Sequence, residues 1–293
     1  MEEKSNMTAL VSCFARAYHN KNSDFKIYED NLAELILSKE EYDNISKSMS
    51  NGIKFFNPNF IGDSDEALKW IVNNNLAPSI LARSAFTAKS IQKEKKMGLK
   101  QYLIFASGYD TYSYTDKELQ CYEIDKANVI EDKIERVKKA NIDYSNVKYI
   151  ETDFTLENWE ESLINSDIDW NKRVFCSLLG ISYYLTKNQF YNMVNKISKL
   201  MCKESTIIFD YPIVEDSEKE EITRKLAKGA NEEMKSKYSY EELELKFQES
   251  NLLIYENLNS KDINEQYFKE YNLKSEDKIL APQGVNYCLI VKR

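Results

Sequence analysis

The segment FASGYDTYSY (105–114) places one glycine, Gly108, in a tight turn behind a short apolar run. Such a turn after a strand lets main chain approach a nucleotide-like ligand closely, although a dinucleotide fingerprint would carry three glycines. About 17 residues further on, EID ends a second apolar run. An acid there can accept both hydroxyls of a ribose, close to the roughly 20-residue spacing such folds use. Alternation puts Glu123 and Asp125 on one side of an extended chain, so either could serve. A third run ends in ETDFT (151–155). Asp153 could bind an adenine amino group with Phe154 over the ring. The plainer reading has Asp153 capping a helix and Phe154 in the core. Arg83 sits among apolar neighbours in LARSAF. It either snorkels or forms a bidentate pair with a ligand carboxylate.

The rest of the composition narrows the chemistry. The chain has a single histidine, His19, in the polar stretch Tyr18 to Asp24. It reads as a solvated residue, or as a contact from a lid segment to substrate. A Ser-His-Asp triad or a multi-histidine metal site would depend on that one side chain. Cys13, Cys121, Cys176, Cys202 and Cys288 form no C-x-x-C pair, so neither a metal site nor a disulfide framework is expected. Cys121, Cys176 and Cys288 lie in strand-like runs and read as buried thiols. A net charge of -8 argues against a general nucleic-acid partner. No run approaches the roughly 20 apolar residues of a membrane span. The start MEEKSN lacks the features of a signal peptide, so a cytoplasmic protein is expected.

These residues need elements to hold them. Residues 1–96 read as mostly helical, with helical spacing in 31–37 and 64–72, Ser64 as an N-cap, and one helix over 79–97 closed by Gly98. From residue 99 the pattern changes. Strand-like runs at 101–106, 120–125, 147–151, 173–179 and 205–211 alternate with helical stripes. Ile130, Ile134 and Val137 form one stripe, and Phe190, Val194, Ile197 and Met201 another. Repeated strand–helix units at this spacing imply a parallel sheet with helices on both faces and ligands at the strands' C-terminal edge. A charged insertion (213–239), helices near 240–250 and 261–271, and runs at 252–258 and 285–291 complete the chain.

In order, these segments resemble the leucine carboxyl methyltransferase family, especially its bacterial branch of polyketide and small-molecule O-methyltransferases. SCFARAYHNK (12–21) is similar to the family's N-terminal helix, and LARSAF (81–86) to its arginine helix. GLKQYLIFASGYDTYSY (98–114) and CYEIDKANVIEDK (121–133) match its first two nucleotide segments. SLLGISYYL (177–185) and IIFDYP (207–212) resemble motifs of the bacterial branch. The resemblance implies an α/β, Rossmann-like class I methyltransferase fold: a mostly parallel seven-stranded sheet with an antiparallel last strand. Residues 1–97 would form a helical extension or lid packed on a core of 98–293, with a helical insertion near 213–239.

It also implies S-adenosyl-L-methionine as cofactor and a small-molecule methyl acceptor. Arg83 would hold the methionine carboxylate. Ala106, Ser107 and Gly108, with Asp110 behind them, would form the turn beneath the cofactor. Asp125 would take the ribose hydroxyls with Glu123 in support, and Asp153 and Phe154 would read the adenine. The sequence departs from the family at Ala106, where a G-x-G turn has its first glycine, and at Leu179, where the eukaryotic branch places a glutamate. An alanine at 106 is costly if the turn needs a positive φ. Methyl transfer needs little acid–base help. Tyr183, Tyr184 and His19 are the candidates should a phenol acceptor need a base. The rival expectations are a degenerate, cofactor-binding protein without activity and, less well supported, a nicotinamide-dependent oxidoreductase.

Overall fold

In the computed structural model, which describes residues 7–214 and 234–293, the alternating runs form strands within a residue or two of their expected bounds. They are β1 Gln101–Phe105, β2 Gln120–Asp125, β3 Val147–Glu151, β4 Val174–Leu178, β5 Thr206–Pro212, β6 Leu252–Leu258 and β7 Val285–Lys292. They build one seven-stranded sheet in the order β3-β2-β1-β4-β5-β7-β6. Strands β1 to β5 pair in parallel, and β7 runs antiparallel to both of its neighbours. This is the class I methyltransferase arrangement. Strand order reverses between β1 and β4, so a crevice opens beyond the C-terminal ends of those two strands.

The helices described are α1 Met7–Asn22, α2 Ala33–Ile36, α3 Lys39–Asn51, α4 Ile53–Phe56, α5 Ser64–Ile71, α6 Ala77–Lys96, α7 Ala127–Lys139, α8 Glu161–Ile164, α9 Lys187–Leu200, α10 Tyr240–Glu249, α11 Ser260–Ile263 and α12 Lys269–Lys274. Period-2 alternation divides the sheet between two cores. Tyr102, Ile104, Phe175 and Ile208 face Leu10, Phe14, Ile36, Leu81 and Phe86 of the N-terminal helices. Leu103, Phe105, Cys176 and Phe209 face Phe190, Val194 and Ile197 of α9 and Phe247 of α10. One face of the sheet is therefore covered by residues 7–96, which could not be removed without exposing it. No helix among the described residues is long and apolar enough to cross a membrane.

Several local expectations are corrected. The N-cap of α5 is Asp63, not Ser64. Its side chain accepts from the main-chain N–H of Asp65 and Glu66, and Glu66 returns a bond to Asp63 in a capping box. Helix α6 begins at Ala77, because Pro78 lacks an N–H and fits the first turn, where none is needed. On α7 Ile130 and Val137 are buried as expected, but Ile134 is only half-buried and Lys133 is fully buried beside them. The helix expected near 261–271 is α11 and α12 joined by a wider turn, Asn264–Phe268. His19 is not solvated but buried. Of the insertion expected to be helical near 213–239, residues 215–233 lie outside those described. Its flanks meet where Ile213 and Tyr238 form a short parallel bridge.

Candidate functional site

The main chain leaves β1 through a turn that only a left-handed conformation can make. Ala106 has φ +50° and Gly108 φ +46°. A non-glycine residue there is strained, because its Cβ crowds the following carbonyl. A Cβ built on Gly108 would lie 2.9 Å from Cβ of Ala9, so α1 sits directly on the turn. The Asp110 N–H donates to the Ser107 carbonyl at 2.9 Å, and the Asp110 side chain accepts from the N–H of Tyr112 at 2.9 Å. Ser107 is buried, and its Oγ has no hydrogen-bond partner among the described residues.

Asp125, at the tip of β2, is bound into this turn. Its Oδ2 accepts from the Gly108 N–H and its Oδ1 from the Lys126 N–H, both at 2.8 Å. Burial raises its carboxyl above the usual range, against the pull of those two N–H groups. Glu123 lies two residues back on the same face but deeper, with no exposed surface. Ser113 Oγ donates to one of its oxygens at 2.5 Å, and Lys133 Nζ stands 2.5 Å from the other. Burial raises its carboxyl too, opposed by the Lys133 charge. Both Glu123 oxygens thus face protein groups, and it is Asp125 that lies at the turn.

At the tip of β3, Asp153 caps no helix. Its Oδ1 accepts from the main-chain N–H and the hydroxyl of Thr155, at 2.9 and 2.7 Å. The N–H of Thr155 is the main reason its carboxyl titrates below the usual range. Phe154 is half-buried, its ring centroid 6.0 Å from that of Phe105 and 5.3 Å from that of Trp159. The second and third strand tips are tied together where the Thr152 N–H donates to the Asp125 carbonyl at 2.8 Å.

Across the crevice, Arg83 projects from the middle of α6 and its Nη1 donates to Asp210 Oδ2 at 3.0 Å. The same oxygen accepts from the Tyr183 hydroxyl at 3.0 Å, and Oδ1 accepts from the Gly180 N–H at 2.6 Å. Burial opposes the Arg83 charge, but Asp210 and Tyr183 outweigh it and raise its pKa. Burial and the Asp210 charge raise the Tyr183 phenol well above its ordinary value. Leu179 follows β4 and is half-buried. Tyr184 is half-buried beside Tyr183, with ring centroids 6.2 Å apart. His19 lies apart from this cluster, on α1. Its Nε2 accepts from the Ile27 N–H at 3.0 Å, so its proton sits on Nδ1, 3.1 Å from Ser23 Oγ. Burial lowers its pKa to about 4.

Besides Lys133, two charged groups are not evident from the sequence. A carboxylate in a strand buried on both faces must have a buried partner, and Asp210 in IIFDYP carried that signal. Its partner, Arg83, lies 127 residues away. The other is α1's Arg16. It donates through Nε to Asp30 at 2.8 Å and through Nη2 to the Tyr109 carbonyl at 2.6 Å. Only the paired fold makes either visible.

The leucine carboxyl methyltransferase family model matches residues 9–198. YktD of Bacillus subtilis (strain 168), which carries the name S-adenosyl-L-methionine-dependent methyltransferase, is 31% identical over 100% of this chain and 99% of its own. The chain belongs to the leucine carboxyl methyltransferase family. A Mycobacterium tuberculosis (strain ATCC 25618 / H37Rv) protein of like description is 23% identical over 77% of this chain and 63% of that one. Two solved structures share the fold. A Thermobifida fusca YX protein has TM-score 0.57 and 13% identity over 85% of this chain and 97% of its own. A DUF574 family protein of Streptomyces avermitilis MA-4680 has TM-score 0.58 and 12% identity over 85% and 100%. This family member is an S-adenosylmethionine-dependent methyltransferase. Its residues fit that cofactor. The left-handed turn follows the C-terminal end of β1, the buried Ser107 hydroxyl has no partner among the described residues, and the Asp125 oxygens each keep a lone pair beyond the N–H they accept.

Proposed function

We propose that this methyltransferase methylates an oxygen of a small acceptor that is already an anion at neutral pH, a carboxylate or an acidic phenol. The observation that carries this reading is the state of its candidate bases. The chain's one histidine is buried, accepts an N–H through Nε2 and is held neutral down to about pH 4. The Tyr183 hydroxyl donates to Asp210. An acceptor that arrives ionised needs neither. The family's description, which names a carboxyl, points the same way.

Bound S-adenosylmethionine supplies a methyl group on a sulfonium. The protein's part is to orient and to exclude water. Arg83 would hold the methionine carboxylate, and Asp125 the ribose hydroxyls, with Glu123 and Lys133 fixing the strand behind it. Asp153 and Phe154 would frame the adenine. Ala106, Ser107, Gly108 and Asp110 would form the floor, and Leu179 would supply apolar wall where relatives of the eukaryotic branch carry a glutamate. Tyr183 and Tyr184 would line the acceptor side.

Methyl-labelled cofactor, incubated with the protein and panels of small carboxylic acids, phenols, amines and thiols, tests the reading. Label is expected in base-labile esters or in aryl ethers. Transfer to amines or thiols alone would sink it. Binding of cofactor with no transfer to any panel would favour the inactive alternative, which the strained Ala106 motivates.

A further inference from the structure

We propose that Asp210 is a positioning residue of the cofactor site, fixing the Arg83 guanidinium and the 180–183 segment in the arrangement that receives the amino-acid end of S-adenosylmethionine. This rests on the reading that Arg83 takes the methionine carboxylate. Asp210 lies in β5 among Ile207, Ile208, Phe209 and Tyr211, all without exposed surface. An apolar residue would satisfy such a place at least as well. A buried ion pair is rarely a net gain over good packing, so stability does not account for it. Its hydrogen bonds do. One carboxylate gathers three groups from two segments: Arg83 of α6, and the Gly180 N–H and Tyr183 hydroxyl of the connection beyond β4, while its own main-chain carbonyl accepts from Ser182 Oγ at 2.6 Å.

The backbone is shaped around the same contact. Gly180 has φ +70°, and a Cβ there would come within 3.1 Å of Arg83 Nη1, so the guanidinium lies flat against main chain where a side chain would displace it. A guanidinium has five donors in a rigid fork, and the bond to Asp210 uses one. Arg83 can hold Asp210 and a ligand carboxylate together. Two effects of Asp210 oppose each other. Its charge offsets that of Arg83 and weakens attraction for an anion, whereas its hydrogen bond orders a long, flexible side chain before the ligand arrives. The buried three-way anchorage makes ordering the larger effect.

Calorimetric titration with two probes separates these. S-adenosylhomocysteine carries the amino-acid end, and 5′-methylthioadenosine lacks it. Asp210→Asn is expected to weaken S-adenosylhomocysteine about tenfold, the lower end of what partners that orient metal ligands contribute, and to leave 5′-methylthioadenosine unchanged. Arg83→Met should show the same selectivity with a larger loss. Equal weakening of both probes in Asp210→Asn would mean a merely structural residue and overturn the inference. So would unchanged or tighter S-adenosylhomocysteine binding while Arg83→Met remains selective, and the Arg83 reading would then stand alone. Should Arg83→Met weaken neither probe, or both alike, the Arg83 reading itself fails and the inference with it. If Asp210→Asn does not fold, Gly180→Ala keeps the carboxylate but pushes a methyl against Nη1. Selective loss of S-adenosylhomocysteine then supports the inference, and its absence overturns it.

Discussion

At the scale of single residues, the site is built from side chains whose partners decide their use. Ala106 is the clearest case of strain, in the turn that leaves β1. With φ +50° it occupies a region that costs a residue bearing a Cβ about 1–2 kcal/mol. Ala106→Gly relieves that strain. The relief is offset in part by the entropy glycine gains in the unfolded chain and by the loss of a methyl that packs against the Phe105 side of the core. The net expectation is a gain of about 0.5 kcal/mol, or a melting temperature about 1 °C higher for a chain of this size. Thermal unfolding of the two proteins without ligand checks it. A lower melting temperature would mean that methyl packing outweighs strain. The sequence could flag Ala106 only conditionally, because the sign of φ is a property of the folded turn. Nor could it choose between Glu123 and Asp125, which share a face. What separates them is depth. Glu123 meets Lys133 and Ser113 in the core, whereas Asp125 reaches the Gly108 N–H.

At the scale of elements, α1 shows why a polar stretch can be structural. His19 lies near its C-terminal end, and the chain folds back so that the Ile27 N–H meets Nε2. The ring packs against Tyr271 with centroids 5.6 Å apart. Burial lowers the pKa from 6.5 to about 4. The neutral ring is therefore favoured in the folded state, while the unfolded chain takes up a proton below pH 6.5. The contribution is intact above that pH and is lost as pH falls toward 4, by about 2.5 kcal/mol at pH 4.5. His19→Gln can still accept the Ile27 N–H but cannot titrate. Urea unfolding at pH 7 and pH 4.5 should show the wild type losing about that much more stability than the variant over the interval; parallel losses would refute the assignment. The strands were legible because each is a short apolar or alternating run bounded by polar residues, and β1 and β4 are buried along their whole length. The helix ends were less so. Asp63 and Ser64 both suit an N-cap, and what distinguishes them is that Asp63 accepts from Asp65 and Glu66 and gives its own N–H to Glu66. Lys133 was hidden because a lysine on an apolar stripe reads as its edge until Glu123 is seen beneath it.

At the scale of the whole molecule, the N-terminal helices and the turn after β1 form one mechanical unit. Helix α1 meets Gly108 through Ala9, and Arg16 links Asp30 to the Tyr109 carbonyl. Thr111 Oγ1 donates to the same Asp30 oxygen at 2.6 Å. These groups are buried, so the turn and α1 cannot move apart without leaving the Arg16 guanidinium and the Asp30 carboxylate each short of a hydrogen bond, at about 1–3 kcal/mol apiece. A ligand that orders residues 105–111 must then stabilise α1 as well, although α1 supplies no residue read as touching it. At a hundred times its dissociation constant, S-adenosylhomocysteine would stabilise the folded state by about 2.7 kcal/mol. Amides of α1 that exchange through openings releasing the ligand should slow by up to about a hundredfold, as should those of 105–114. Amides near the end of α12, which open by fraying, should keep their rates. Hydrogen exchange read by mass spectrometry, with and without S-adenosylhomocysteine, gives all three segments at once. Slowing in the turn with α1 unchanged would mean that the Arg16–Tyr109 and Thr111–Asp30 bonds open freely and that the helical extension covers the sheet without closing on the site. Slowing in both, with α12 unmoved, makes α1 part of what cofactor binding orders.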